Sequence, residues 1–124
     1  MDAAGHGSTA FYTDQYEIGN LRGALASGVA GRQSVFEVFA RSLPGGRRYG
    51  VFAGLGRILD DVARFRFDEA QLRWLEETGV ADRRTRRLLA GQRFCGDIWA
   101  YPEGELYFPQ SPVITVRATF GGQQ

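Results

Sequence analysis

Hydrophobic positions along the chain change period part-way. Up to Ala90 they recur mostly at three- and four-residue spacing, the signature of helices with one apolar face. From Phe94 onward they alternate, as in strands whose two faces differ. The stretch Phe36 to Asp60 organises the rest. It predicts a buried strand around 34–40 that ends in Arg41, then the turn Ser42-Leu43-Pro44-Gly45-Gly46, then Arg47 and Arg48. Val51, Leu55, Ile58, Leu59 and Val62 follow on one face of a helix predicted over 49–63.

Caps and breakers mark the other elements. Asp14-x-x-Glu17 reads as a capping box opening a helix over 14–27, with Ile18, Leu21 and Leu25 as its stripe and Gly28 as its stop. Gly19 and Gly23 inside it each cost up to ~1 kcal/mol against Ala, so this helix relies on packing. Asp68 and Gln71 form a second box for a helix over 68–78, where Phe67 can staple onto Leu72 and Gly79 ends the run. Leu72 and Leu75 point inward with Trp74 flanking, and a short helix over 82–90 stops at Gly91. Strands over 95–101 and 105–108 flank Pro102-Glu103-Gly104, which reads as a three-residue hairpin with Gly104 at positive φ. In the last strand, over 113–120, Ile114, Val116 and Ala118 share one face. The fold class is α+β: a small, mostly antiparallel sheet from 34–40 and 95–119 under covering helices. Residues 1–10 read as a flexible tail, 11–120 as the domain and 121–124 as a short end.

Composition narrows the function. The 124 residues suit one domain with a modest core. A net charge of +1 supplies no basic field for nucleic acid, although all 15 basic residues are Arg. Arg83, Arg84, Arg86 and Arg87 stripe the 82–90 helix without interleaved aromatics, which reads as a solvated face. The single cysteine, Cys95, excludes an internal disulfide framework and reads as a small buried thiol. No apolar run reaches the ~20 residues that cross a bilayer, and the N-terminus lacks the regions of a secretory signal, so the expectation is a cytoplasmic protein. His6 is the one histidine and stands alone in the tail, so no metal site is expected. Gly54 and Gly56 fall inside the predicted helix; they point to close approach of another element, not to a dinucleotide loop. Asp60-Asp61, Glu76-Glu77 and Glu103/Glu105 read as solvated carboxylates, and no catalytic constellation is present. Arg41, Arg47 and Arg48 beside a glycine-rich turn are a solvated cluster or an anion site, since the guanidinium fork matches phosphate. Tyr16, beside a cap, reads on its own as a half-buried core residue.

Three ordered segments add a resemblance. These are Y-T-D-Q-Y-E (Tyr12 to Glu17), F-E-V-F-A-R-x-L-P with G-R-R-Y-G-V-F-A-G-L (Phe36 to Leu55), and F-x-G-D-I-W-A-Y-P-E-G-E-L-Y-F-P (Phe94 to Pro109). Together they resemble the N-terminal part of nicotinate phosphoribosyltransferase over roughly 8–119. The resemblance implies the hammerhead-like N-terminal domain of the nicotinate and quinolinate enzymes, with a barrel domain to follow. It implies an enzyme that joins nicotinate to phosphoribosyl pyrophosphate in NAD salvage, driven by ATP hydrolysis with Mg²⁺, as a homodimer. Tyr16 would stack on nicotinate in the partner subunit's site, and Arg41 would be the phosphate contact. Where Ile18-Gly19-Asn20 stands here, the family usually has larger residues. The phosphorylated histidine of that reaction lies on the barrel, so 124 residues alone are expected to be inactive and to bind neither ATP nor Mg²⁺. The rival readings are a non-catalytic module that binds a protein or nucleic acid, and a phosphoribosyltransferase for another pyridine. A reading frame that continues past Gln124 favours the enzyme; a stop there favours the module.

Overall fold

A computed structural model describes residues 8–121. His6 and most of the expected tail lie outside the described residues. Ser8 to Ala10 already belong to the fold: the Ser8 hydroxyl accepts from the Ala10 N–H and donates to the Arg66 carbonyl, and Ala10 is buried.

Four helices and five strands follow, with short 3₁₀ turns at Thr9–Phe11 and Pro44–Gly46. The helices are α1 (Gln15–Ala26), α2 (Leu55–Arg64), α3 (Glu69–Glu77) and α4 (Arg83–Ala90). The strands are β1 (Gln33–Val38), β2 (Gly50–Val51), β3 (Gly96–Ala100), β4 (Leu106–Tyr107) and β5 (Ile114–Thr119). A three-stranded antiparallel sheet runs in the order β1-β5-β3, with Phe36 and Ile98 both opposite Val116. β2 and β4 form a separate antiparallel pair. The α+β class and the antiparallel sheet agree with the sequence.

Local chemistry explains what was foreseen. Asp68 Oδ1 accepts from the Gln71 N–H at 2.8 Å while Gln71 Oε1 accepts from the Asp68 N–H at 3.0 Å, a complete capping box. Phe67, Leu72 and Leu75 are buried together with Ile18, Ala81 and Leu89, a cluster that joins α1, α3 and α4. A second cluster of Phe52, Val113 and Ile114 lies under the sheet, with Leu55, Ile98 and Val116 against it.

Four expectations are corrected. β1, expected as a buried strand, is exposed along most of its length, with Phe36 50% and Val38 52% exposed. The helix predicted from 49 begins at Leu55, because Gly50 and Val51 pair with Tyr107 and Leu106 instead. The tip of the Tyr107 ring lies over Gly50, 2.5 Å from where a Cβ would stand, so a side chain there would have to push the ring aside. Gly54 is therefore not inside the helix; it caps α2 in the left-handed region at φ 98°, with open space around it. The hairpin around 102–104 does not form either, since β3 pairs with β5 and β4 with β2. Gly104 has the expected positive φ of 85°, but its turn hands the chain to Phe52. The Phe52 N–H donates to Glu105 O and the Gly104 N–H to Phe52 O, both at 2.8 Å.

Candidate functional site

Tyr16 sits in the first turn of α1 and is 61% exposed, so it is not the half-buried core residue its position suggests. Asp14 is the N-cap residue, yet its side chain makes no capping bond, and the box with Glu17 does not form. Glu17, through hydrogen bonding first and charge second, holds the Tyr16 phenol above its ordinary pKa, with the Asp14 charge adding to it. The ring is thus neutral across the physiological range and presents an open aromatic face. Beside it, Thr13, Asp14, Gln15, Ile18, Leu75 and Val80 line a shallow cavity walled by Phe11 and Trp74, whose rings meet edge to face at 5.5 Å.

Arg41 lies three residues past the end of β1 and is exposed. The chain then turns through Gly45 and Gly46, both at positive φ (64° and 71°), and passes Arg47 and Arg48 ahead of β2. Arg47 and Arg48 share a cleft with Tyr49, Gly50 and Val51. Among the described residues none of these three arginines has a carboxylate partner, but the same holds for Arg83, Arg84 and Arg87. What sets Arg41 apart is its backbone: Gln110 Nε2 donates to Arg41 O at 2.7 Å and the Gln110 N–H donates to Ala40 O at 2.8 Å. No hydrogen bond or ion pair among the described residues joins Tyr16 to Arg41.

Other candidates resolve into structural roles. Arg86, in the stripe read as solvated, is drawn inward by Glu69 at 2.5 Å and Glu76 at 3.1 Å, tying α4 to α3. Glu103, read as solvated, sets its carboxylate on the N-terminus of α2: both oxygens lie 3.0 Å from the Gly54 nitrogen and Oε1 3.4 Å from the Gly56 nitrogen. The close approach expected at these two glycines is not found, since a Cβ at either would meet nothing within 4 Å; Glu103 reaches only their backbone nitrogens. Cys95 is exposed, not buried. It has the parity of Asp97 and Trp99 and so falls on the sheet face turned away from the second cluster. On that open face Arg117 pairs with Asp97 at 2.9 Å and lies 5.3 Å over the Trp99 ring, and Val35 and Trp99 are 62% and 53% exposed. Among the described residues no three His, Cys, Asp or Glu side chains converge as metal ligands, and no helix is long and apolar enough to cross a membrane.

Comparison with known proteins gives the surface its context. The model of the nicotinate phosphoribosyltransferase (NAPRTase) N-terminal domain matches residues 11–124. The chain belongs to this family. It is 53% identical over 108 residues to nicotinate phosphoribosyltransferase pncB1 of Mycobacterium tuberculosis, covering 87% of this chain and 24% of that protein. It is 31% identical over 111 residues to the nicotinate phosphoribosyltransferase of Bacillus subtilis, covering 90% and 23%. Human nicotinic acid phosphoribosyltransferase superposes with a TM-score of 0.78 at 26% identity, over 89% of this chain and 23% of that one. The chain thus spans about a quarter of the length of its relatives. Nicotinate-nucleotide pyrophosphorylase from Pyrococcus furiosus shares the fold, at a TM-score of 0.56 and 17% identity. Within this phosphoribosyltransferase domain, sequence reasoning named Tyr16 and Arg41 but missed Glu103 and Gln110. Pro102-Glu103-Gly104 and Pro109-Gln110-Ser111-Pro112 announce turns, yet nothing in either names its distant partner.

Proposed function

We propose that this chain serves as the N-terminal domain of an enzyme that joins nicotinate to phosphoribosyl pyrophosphate, giving nicotinate mononucleotide and pyrophosphate for NAD salvage. The observation that carries this reading is the 53% identity to a curated nicotinate phosphoribosyltransferase. The exposed aromatic face of Tyr16, in the matching Thr13-Asp14-Gln15-Tyr16 segment, supports it.

In this reading Tyr16 stacks on the nicotinate ring in a partner subunit's site, and Arg41 meets a phosphate of phosphoribosyl pyrophosphate. The enzyme is a cytoplasmic homodimer. ATP hydrolysis drives the reaction, and ATP and Mg²⁺ bind to the barrel domain. Stacking needs a ring at position 16, not a hydroxyl. The test is steady-state kinetics of the whole enzyme, with this domain joined to its barrel. Tyr16→Ala is expected to raise the KM for nicotinate about 10-fold, a stacking loss of roughly 1–1.5 kcal/mol, while Tyr16→Phe stays within about twofold of the parent. A Tyr16→Ala enzyme with unchanged KM removes Tyr16 from the site. If the whole protein forms no nicotinate mononucleotide, the domain is a binding module.

A further inference from the structure

We propose that Gln110 is a positioning residue that sets the direction of Arg41; the inference rests on reading Arg41 as a phosphate contact. β1 leaves the sheet at Val38, where its pairing with β5 ends opposite Ile114. The Val113 N–H still reaches Val38 O at 2.8 Å, but beyond that point Phe39, Ala40 and Arg41 have no ladder partner. The turn Phe108-Pro109-Gln110-Ser111 takes over. Ser111 N–H closes it on Phe108 O at 3.2 Å, and Gln110 then holds both Ala40 O and Arg41 O.

The choice of residue is informative. Pro109 stands second in this turn and Gln110 third, with φ 68°, the position where a type II turn favours Gly or Asn. Gln110 is the one non-glycine at positive φ among the described residues. A left-handed conformation is unfavourable for a side chain with a Cβ, and such strain persists where the surroundings hold it in place. Glycine would make the turn more easily, but it carries no amide to reach Arg41. The backbone N–H would hold Ala40 whatever the side chain; only the Gln110 carboxamide fixes the peptide plane that follows Arg41. With Ala40 O also held, the peptide planes on both sides of Arg41 are anchored, which fixes its Cα and so the direction in which its side chain leaves the unpaired strand.

The test uses the whole enzyme and four variants: Gln110→Met, Gln110→Gly, Arg41→Ala and Gln110→Met with Arg41→Ala. Methionine keeps the length and the strained φ and removes only the donor. Gln110→Met is expected to raise the KM for phosphoribosyl pyrophosphate about 3- to 10-fold, the weight of one hydrogen bond, with kcat and the KM for nicotinate within about twofold. Gln110→Gly is expected to show the same KM change while melting higher than Gln110→Met, which separates the contact from the strain. In the Arg41→Ala background the Gln110→Met change is expected to add nothing. An unchanged KM in both Gln110 variants overturns the proposal, as does an equal Gln110→Met effect with and without Arg41. If Arg41→Ala itself leaves that KM unchanged, the reading of Arg41 fails and the proposal falls with it. Should Gln110→Met not fold, Gln110→Gly decides by the same KM comparison.

Discussion

Removing the Glu103 carboxylate should loosen the start of α2 by an amount that can be worked out. Its two oxygens share the Gly54 N–H at 3.0 Å each, so they count as one charge-assisted bond, and the 3.4 Å approach to the Gly56 nitrogen adds little. A hydrogen bond to a charged group is worth about 1.5–3 kcal/mol, and the exposed setting here takes the low end. The charge also faces the positive end of the α2 dipole, adding about 0.3–1 kcal/mol. Glu103→Ala should therefore cost about 2 kcal/mol, or about 6–12 °C in Tm for a domain of this size. Glu103→Gln keeps an acceptor and loses the charge, so about half of that loss is expected. Thermal unfolding followed by circular dichroism, at low salt and at about 1 M salt, reads both parts, because salt screens the charge-dependent share. An alanine variant that melts within about 1 °C of the parent would refute the reasoning. So would a glutamine variant as damaged as the alanine one.

Two further outcomes follow from the packing and the caps. Leu72, 2% exposed in the helical cluster, should lose about 2–5 kcal/mol as Leu72→Ala, whereas Leu59→Ala, 43% exposed on α2, should lose less than about 1.5 kcal/mol in the same urea titration. Comparable losses at the two positions would mean that the cluster is not the core. The backbone N–H of Thr85, 2.8 Å from Asp82 Oδ1, holds Asp82 below the ordinary carboxylate value, with Arg22 adding to the effect against the cost of desolvation. A depressed pKa stabilises the fold above the unfolded value and is lost as pH falls through the folded one, so stability should drop below about pH 4. Asp82→Asn should flatten that acid limb in pH-dependent melting; an unchanged limb would remove Asp82 from the account.

Features written in adjacent residues were legible in the sequence, and features that depend on distant partners were not. The Asp68–Gln71 box, the positive φ of Gly104 and the inward Leu72 and Leu75 each follow from a window of a few residues. The period of Val51, Leu55, Ile58 and Leu59 suggested a helix from 49, because nothing local reveals that Tyr107 lies over Gly50 and turns it into a strand. The same reason defeats the hairpin: Pro102-Glu103-Gly104 makes the expected kind of turn, and Phe52 captures the chain on its far side. At the start of α1 the residues of a capping box are present, but the Asp14 side chain makes no capping bond. Tyr16 was singled out only through the three-segment resemblance, and the residues alone left Arg41 as one of three arginines in a solvated cluster or an anion site, since a tyrosine beside a cap and an arginine beside a turn are common on any surface.

The division matters for how mutations in this domain should be read. Helix periodicity builds the first buried cluster and the sheet residues build the second, and side chains there carry stability. The groups proposed to meet a substrate are exposed: Tyr16 on a first turn, Arg41 past the last rung of β1. Burial cannot place an exposed side chain, so its position depends on whatever holds its backbone. At Arg41 that holder is Gln110, 69 positions along; at the entry to α2, beyond β2 from Arg47 and Arg48, it is Glu103. Both holders come from the 102–112 segment, whose three prolines restrict its conformations before folding and so lower the entropy lost in making the clamps. A core substitution should then change Tm at nearly constant KM, and a substitution in this segment should change KM by more than its effect on Tm explains. Finding KM insensitive throughout 102–112 would show that the arginines are positioned by something other than these clamps.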